Sequence, residues 1–178
     1  MIVCDQQREE NFQEFIRLRN DSDYYDVTFD EKSGGVSAIH KGHRFDKSIG
    51  PFGEPRGDYE RITVRVLREH GHSIILLAEQ NDSFKKKHCD ALLDGVSAEI
   101  KTVETTGQWT IRRKLSQSEK QGASLALLFF PQSSLFNEQR IQTGYLRYVE
   151  DVPRYQGSIQ IAICIVEGDL FYIRKPSG

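Results

Sequence analysis

Apolar residues near the N-terminus follow the spacing of an amphipathic helix. Phe12, Phe15 and Ile16 lie at positions i, i+3 and i+4, which places all three on one helix face. Apolar and polar residues then alternate in two short runs separated by a Gly-containing stretch, and this pattern predicts a β-hairpin. The predicted elements of this part are a helix at 5–20 and strands at 25–29 and 36–40.

A segment rich in Gly and Pro, residues 47–57, predicts a linker between this N-terminal part and the rest of the chain. Helical and strand-like patterns alternate beyond it. The predicted elements are helices at 58–69, 110–121 and 138–149, and strands at 73–79, 89–94, 96–103, 124–130, 158–166 and 170–174. This order predicts an α/β domain at 58–178, a mixed sheet flanked by helices, with residues 1–57 as an accessory N-terminal segment.

The charge balance limits the class of protein. The chain has 178 residues, and 24 Lys and Arg stand against 26 Asp and Glu, which gives a net charge of −2. This balance excludes a uniformly basic nucleic-acid-binding protein, although it is compatible with a basic patch. Residues 1–31 hold nine acidic and three basic side chains, so the rest of the chain carries a net charge of +4.

The cysteines and the hydropathy indicate the cellular compartment in which we expect the protein. Cys4, Cys89 and Cys164 have no paired spacing, so neither a disulfide framework nor a zinc knuckle is predicted. No apolar run approaches the ~18 residues of a membrane-spanning helix, and the N-terminus has no secretory signal. We therefore expect a protein without a membrane partner that is cytoplasmic, or delivered into the cytoplasm of a target cell.

The chemically informative segment is the strand pair around Asp94-Gly95. Asp-Gly between two strand-like runs predicts a two-residue turn. The register of that turn places Asp90 directly opposite Glu99, and the alternation of side chains places Lys101 on the face that they share. The opposite face is wholly apolar and consists of Cys89, Ala91, Leu93, Val96, Ala98 and Ile100.

Two carboxylates that face each other across a strand pair destabilise it by roughly 0.2 to 1 kcal/mol. A divalent cation removes this penalty, because Mg²⁺ binds one or two carboxylates and keeps several waters. Lys101 can position or deprotonate a metal-bound water, and these are the parts that phosphodiester hydrolysis needs. Glu60 lies on the apolar face of its predicted helix, where it either points into a site or stabilises the helix N-terminus.

This arrangement, with Glu60 on a helix and Asp90 and Glu99-Ile100-Lys101 on two strands, resembles the PD-(D/E)XK nuclease superfamily over about residues 58–131. The resemblance implies a restriction-endonuclease-like fold. It also implies that Asp90, Glu99 and Glu60 hold Mg²⁺ or Mn²⁺, with Zn²⁺ as an alternative, and that Lys101 acts on the attacking water. Cys89 stands where the motif has proline.

The helix predicted at 110–121 follows this motif. Superfamily members often place a Gln or Lys there, which implies a catalytic role for Gln121, on the same helix face as Lys114. The segment is also basic, as expected of a surface that contacts phosphates. The residues expected to bind nucleic acid are Arg112, Arg113, Lys114, Gln117 and Lys120, with Lys85, Lys86 and Lys87 from a nearby loop.

More narrowly, the chain looks like the C-terminal tRNase domains of CdiA-type contact-dependent growth-inhibition toxins and their relatives in mobile elements and phages. The shared features are an early helical Glu, the hairpin at 89–95 and the helix end Lys120-Gln121-Gly122-Ala123. This resemblance implies RNA as the substrate, tRNA first, with DNA as a close second. It also implies a cognate immunity protein as a partner.

Several further residues carry weaker signals. Trp109 and Tyr145 are able to stack on bases, although we expect buried packing for both. His40, His43 and Asp46 could form a second metal site or an acid–base pair, but their spacing fits no standard ligand pattern.

Two other functions stay open on the sequence. One is a catalytically inactive nuclease-like module for binding or assembly in a mobile element or phage, and such a module would not bind Mn²⁺. The other is a structural α/β domain whose hairpin carboxylates are ordinary surface groups. That alternative expects Glu60 to lie far from Asp90 in space.

Overall fold

The computed structural model describes residues 4–79, 88–151 and 157–177. In these ranges the chain forms, in order, α1 (Asp5–Arg19), β1 (Tyr24–Phe29), β2 (Val36–His40), α2 (Arg56–Glu69), β3 (Ser73–Leu76), β4 (Ala91–Leu93), β5 (Val96–Thr102), α3 (Thr110–Lys120), β6 (Leu125–Phe130), α4 (Glu138–Glu150), β7 (Ile161–Val166) and β8 (Asp169–Arg174). None of the helices in these ranges is long and apolar enough to cross a membrane.

The eight strands form one mixed sheet, in which they lie in chain order from β1 to β8. Strands joined by short turns pair antiparallel, namely β1 with β2, β4 with β5 and β7 with β8. Strands joined through a helix pair parallel, because a crossover returns the chain to the same end of the sheet. These parallel pairs are β2 with β3, β5 with β6, and β6 with β7.

Helices cover both faces of the sheet. This burial explains why the sequence of β6 is apolar at every position. Leu127 and Phe129 pack in the core beneath α2, whereas Ala126, Leu128 and Phe130 pack in the core beneath α3 and α4. A strand buried on both faces reads as a continuous apolar run rather than an alternating one. The predicted mixed sheet flanked by helices is therefore confirmed, as are the N-terminal helix and hairpin.

The N-terminal hairpin continues the same sheet, because β2 pairs with β3. The predicted domain boundary between residues 57 and 58 falls inside α2, which begins two residues earlier than expected. Gly35, at the start of β2, approaches the end of α2 so closely that a Cβ there would lie 1.9 Å from the carbonyl oxygen of Arg68. The structure thus packs residues from both sides of that boundary against each other.

Two details of the hairpin strands differ from the prediction. Strand β4 begins at Ala91 rather than at residue 89, so the alternation of side chains does not extend to Cys89. Cys89 packs against the core beneath α3 and α4, on the side opposite Ala91 and Leu93. Val96 is 43 % exposed because it follows the turn at the end of the hairpin, beyond the cover of α2.

Candidate active site

The turn at Asp94-Gly95 sets the register of the candidate site. Both residues have positive φ, at 49° and 80°, as a two-residue hairpin turn requires. The Asp94 carboxylate also accepts a hydrogen bond from the backbone of Ser73 at 2.8 Å, which ties the turn to β3. The ladder pairs Ala91 with Ala98, which is the register expected from the turn.

One residue beyond this last pair, Asp90 and Glu99 come together as the register predicts. The backbone N–H of Asp90 donates to Glu99 Oε2 at 3.0 Å, and Ile100 donates to Asp90 Oδ2 at 3.4 Å. The Lys101 ammonium donates to Glu99 Oε1 at 2.7 Å. Glu99 is only 3 % exposed. Its carboxylate therefore lies at the base of the site, between Asp90 and Lys101.

Glu60, on α2, lies at the same place. It lines a cleft of about 450 Å³ together with Asp90, Lys101 and Lys114. This neighbourhood contradicts the structural alternative, which expected Glu60 to lie far from Asp90. The rest of the cleft wall consists of Asp46, Arg56, Ile100, Thr102 and Glu104.

The carboxylates of the cleft carry charge that the fold does not fully neutralise. Burial and the adjacent Asp90 carboxylate raise the pKa of Glu99 to about 7, against the effect of Lys101. Burial also raises the pKa of Asp90, with a further contribution from Glu60. With a pKa of about 7, Glu99 is only partly ionised at neutral pH, so a cation bound beside it would displace a proton.

Lys114 projects from α3 into the cleft. Burial and the charge of Lys101 lower the pKa of Lys114, so two ammonium groups lie near the carboxylates. The sequence placed Lys114 among the residues expected to bind nucleic acid, and in the structure this side chain lines the cleft.

Gln121 does not line this cleft, so the structure does not bring it together with the other predicted catalytic residues. It follows α3 at the C-terminal end, seven residues beyond Lys114 and about 10 Å farther along the helix axis. That end of α3 packs near the turn, where Ser97 donates to the carbonyl of Gly122 at 3.3 Å. Lys101, by contrast, lies near the other end of β5.

The remaining predicted nucleic-acid contacts divide between two places. Arg112 and Arg113 lie on the first turns of α3, where Arg112 pairs with Asp151. Gln117 and Lys120 are exposed farther along the helix, toward its C-terminal end. The predicted loop contacts Lys85, Lys86 and Lys87 lie outside the described residues.

Two side-chain contacts at the cleft join remote parts of the chain. His43 Nε2 lies 3.4 Å from Glu60 Oε1, while its Nδ1 is 2.9 Å from the carbonyl oxygen of Leu77. Burial opposes the charged imidazole, but contact with Glu60 and Leu77 raises the pKa of His43 overall. Arg56 binds Glu104 through two hydrogen bonds, of 2.6 and 3.0 Å.

The position of Arg56 beside Glu60 could have been predicted from the sequence. Arg56 and Glu60 are four residues apart, which places them on the same face of α2. The contact between His43 and Glu60 had no comparable signal, because it depends on how the segment after β2 packs on α2.

The donor atoms of the cleft are oxygens, which are the ligands that Mg²⁺ and Mn²⁺ prefer. Among the described residues, no three His, Cys, Asp or Glu side chains form a group that could hold a metal ion by themselves. A cation here would therefore be held by one or two carboxylates and by water. This donor set fits Mg²⁺ or Mn²⁺ better than the tetrahedral N and S ligands of a structural Zn²⁺ site.

Cavity volume alone would have indicated a different candidate site. A cavity of about 820 Å³ lies between the segment after β2 and the beginning of α2, and its wall contains none of Glu60, Asp90, Lys101 and Lys114. The smaller cleft holds the perturbed titratable groups, and such groups mark functional sites more reliably than volume does.

Burial of Glu99 leads to a prediction about stability. The raised pKa means that ionised Glu99 destabilises the fold, and this penalty grows from about pH 4.5 to 7 and is constant above. We expect Glu99→Gln to stabilise the protein by about 2 kcal/mol at pH 8 in EDTA, and by less at pH 5. Urea denaturation at the two pH values measures the difference.

Glu104→Gln is the matched control for this stability measurement. Hydrogen bonds from Arg56 lower the pKa of Glu104, so its ionised form stabilises the fold above the unfolded pKa. Because the pair is partly exposed, the variant should lose about 1 kcal/mol or less. A Glu99→Gln protein that is less stable than the wild type at pH 8 would contradict the prediction.

Comparison with known proteins supports the fold. No protein-family model and no curated protein matches the chain. One solved structure does, a chain described as "CdiA-CT/CdiI toxin and immunity complex from Burkholderia pseudomallei". The TM-score is 0.52 at 16 % sequence identity, and the match covers 78 % of this chain and 98 % of that chain. At this identity the likeness shows a shared fold.

Proposed function

We propose that the chain is a toxin domain that acts as a metal-dependent nuclease and hydrolyses phosphodiester bonds, with RNA, and tRNA in particular, preferred over DNA. The observation that carries the proposal is the cleft itself. It brings the buried Glu99 and its partner Lys101 next to Asp90 and Glu60, the residues that the nuclease-like motif singled out. The shared fold with a chain of a toxin and immunity complex supports the same class.

Asp90 and Glu60 are the two carboxylates that would hold the cation, with water completing its coordination. Both oxygens of Glu99 already accept hydrogen bonds, so Glu99 would act as a ligand only after exchanging one of them. A bound divalent cation supplies Lewis-acid polarisation of the phosphate and a water of lowered pKa. Within this donor set, Asp90 and Glu60 face the open cleft and are the more accessible pair.

Lys101 and Lys114 supply the positive charge of the cleft. Lys101, whose ammonium is fixed by Glu99 at 2.7 Å, is placed to orient the attacking water and to stabilise the negative charge that develops on it. Lys114 carries a partly buried ammonium close by, which favours the negative charge that develops on the phosphate oxygens. His43 holds Glu60 from behind and is a positioning residue rather than a catalytic one.

The partner and the compartment follow from the same proposal. A nuclease that acts on RNA needs access to the cytoplasm of the cell that it damages, so we propose delivery into a target cell. The similar solved structure contains a toxin and an immunity protein. We propose that a cognate immunity protein likewise binds this chain.

The test is an incubation of the purified chain with tRNA, single-stranded DNA and duplex DNA in Mn²⁺, Mg²⁺ or EDTA. We expect cleavage of tRNA with either cation, none in EDTA, and at least 100-fold slower cleavage by the Glu99→Gln variant. Glu99→Gln is an informative control because it keeps the fold. Cleavage of none of these substrates would favour an inactive binding module, and equal cleavage by the variant would contradict the role assigned to Glu99.

A further inference from the structure

The exposed Trp109 side chain is the feature of the surface that the proposed cleavage chemistry leaves unexplained. We infer that it is a stacking platform for an unpaired nucleobase, so that the substrate is engaged in a single-stranded segment beside the cleft. This inference rests on the proposed function and deepens it, because it specifies the substrate as single-stranded nucleic acid.

Trp109 is 45 % exposed, whereas Tyr145, the other aromatic residue with this potential, is fully buried. The expectation of buried packing is thus confirmed for Tyr145 and wrong for Trp109. Trp109 precedes α3, where its indole lies at the surface between the beginning of α3 and the end of α4.

Two arginines hold the indole in place. The guanidinium carbon of Arg147 lies 4.8 Å from the ring centroid, and that of Arg112 lies 5.5 Å away. Arg147 also donates to the carbonyl of Gln108 at 2.6 Å. The ring is therefore held by its neighbours before a ligand arrives, which reduces the entropy lost on binding.

The charge around the ring suits a nucleic acid strand. The shallow groove of about 510 Å³ beside Trp109 is lined by Arg112, Arg113, Arg147, Glu150 and Asp151. Asp151 is paired with Arg112, and Arg113 is exposed beside them. A base can stack on the indole while its flanking phosphates contact the arginines, a combination typical of single-strand-binding surfaces.

The platform is close to the cleft along the chain. Trp109 lies five residues from Glu104 and five from Lys114, which both line the cleft. Five residues span at most ~18 Å. A strand whose base rests on Trp109 can therefore place a phosphodiester a short distance away at Asp90 and Lys101.

Trp109 is the only tryptophan in the chain, so intrinsic fluorescence reports on this position alone. We would titrate the wild-type protein in EDTA with single-stranded oligothymidylate, an abasic strand of equal length, and a duplex. We expect saturable quenching by the single strand and little quenching by the other two. Equal quenching by the abasic strand would overturn the inference, because that probe keeps the phosphates but has no bases.

Variants give a second measurement, by anisotropy of a labelled strand. Stacking is worth about 1 to 3 kcal/mol per base, so Trp109→Ala should weaken binding of the single strand about 5- to 140-fold, and Trp109→Phe much less. Tyr25→Ala, at an exposed aromatic residue of β1, is the matched control and should bind like the wild type.

The outcomes separate this inference from the function on which it rests. If wild-type protein cleaves nucleic acid but Trp109→Ala binds the single strand as tightly as wild type, the stacking platform is wrong and the nuclease stands. If the wild type cleaves no nucleic acid with Mn²⁺, the proposed function fails. An indole reserved for a protein partner would show no quenching by any strand, and this result would also overturn the inference.

Discussion

Replacing Lys101 by methionine is expected to slow phosphodiester hydrolysis by about 10²- to 10³-fold, the usual cost of removing one donor that stabilises developing negative charge. The Lys101 ammonium lies 2.7 Å from Glu99 and faces the cleft beside Asp90. Methionine keeps the apolar stem and removes the charge and the donors. Single-turnover cleavage of tRNA with Mn²⁺ measures the chemical step, and binding of the uncleaved substrate in EDTA shows whether only affinity has changed.

The fold of the Lys101→Met protein must be checked at two pH values. Removing the ammonium leaves the buried Glu99 carboxylate without its cationic partner, so the variant should be less stable at pH 8 than at pH 6, where Glu99 takes up a proton. Circular dichroism at both pH values separates a folded, inactive protein from an unfolded one. Lys32→Met, at an exposed site far along the sheet, is the matched control and should keep its activity.

A folded Lys101→Met protein that cleaves tRNA within threefold of the wild-type rate would contradict the assigned role. Cleavage would then depend on another group, and Lys114 would be the next candidate because it lies in the same cleft. Lys114→Met is therefore worth measuring in the same series. Loss of activity in Lys114→Met alone would move the role to α3.

The hairpin shows how far local pattern can predict a site. The dipeptide Asp94-Gly95 fixed the turn and the register, and that register brought Asp90 to Glu99. Such a prediction succeeds because a turn type and a two-residue period are local properties of the chain. The same logic fails two residues outside the strand, where Cys89 turns to the other side of the sheet.

Helix periodicity predicted which residues share a face of α3, but not which of them lie close to the cleft. Lys114 and Gln121 lie seven residues apart on one face of α3, and the sequence treated both as candidates for the site. Only Lys114 reaches the cleft, because α3 runs back along β5 from the cleft and carries Gln121 toward the hairpin turn. Which end of a helix approaches a site depends on tertiary packing, and a single sequence contains no direct signal for it.

The solvent exposure of Trp109 was the other property that the local sequence pattern predicted incorrectly. Trp109 was expected to be buried because large aromatic residues usually are. It remains at the surface because Arg112 and Arg147, the latter from α4, pack against its ring. Contacts between α3 and α4 decide this, and they are remote in the chain.

Asp90→Asn is expected to abolish stabilisation of the protein by Mn²⁺ and to slow cleavage at least 100-fold. Asp90 lines the cleft, and burial raises its pKa, so the folded protein holds a carboxylate that gains from a cation. A ligand at 100 times its Kd stabilises a protein by about 2.7 kcal/mol, which a thermal melt resolves easily. Asparagine keeps the size of the side chain and removes the negative charge.

The pH dependence gives this prediction a second, independent readout. Because the pKa values of Asp90 and Glu99 are raised, protons compete with the cation at low pH. The increase in melting temperature caused by Mn²⁺ should therefore be larger at pH 8 than at pH 6 in the wild type. In Asp90→Asn the increase should be small at both pH values.

Asp46→Asn is the control that distinguishes a specific ligand from general negative charge in the cleft. Asp46 lines the same cleft, but its Oδ1 accepts hydrogen bonds from the backbone and hydroxyl of Ser48, at 2.8 and 2.6 Å, and these contacts lower its pKa. It is thus already satisfied by the protein, and its variant should keep the response to Mn²⁺. If Asp46→Asn and Asp90→Asn reduced the stabilisation by Mn²⁺ equally, the cation would be held only by the overall negative charge of the cleft. Asp90 would then not be a ligand.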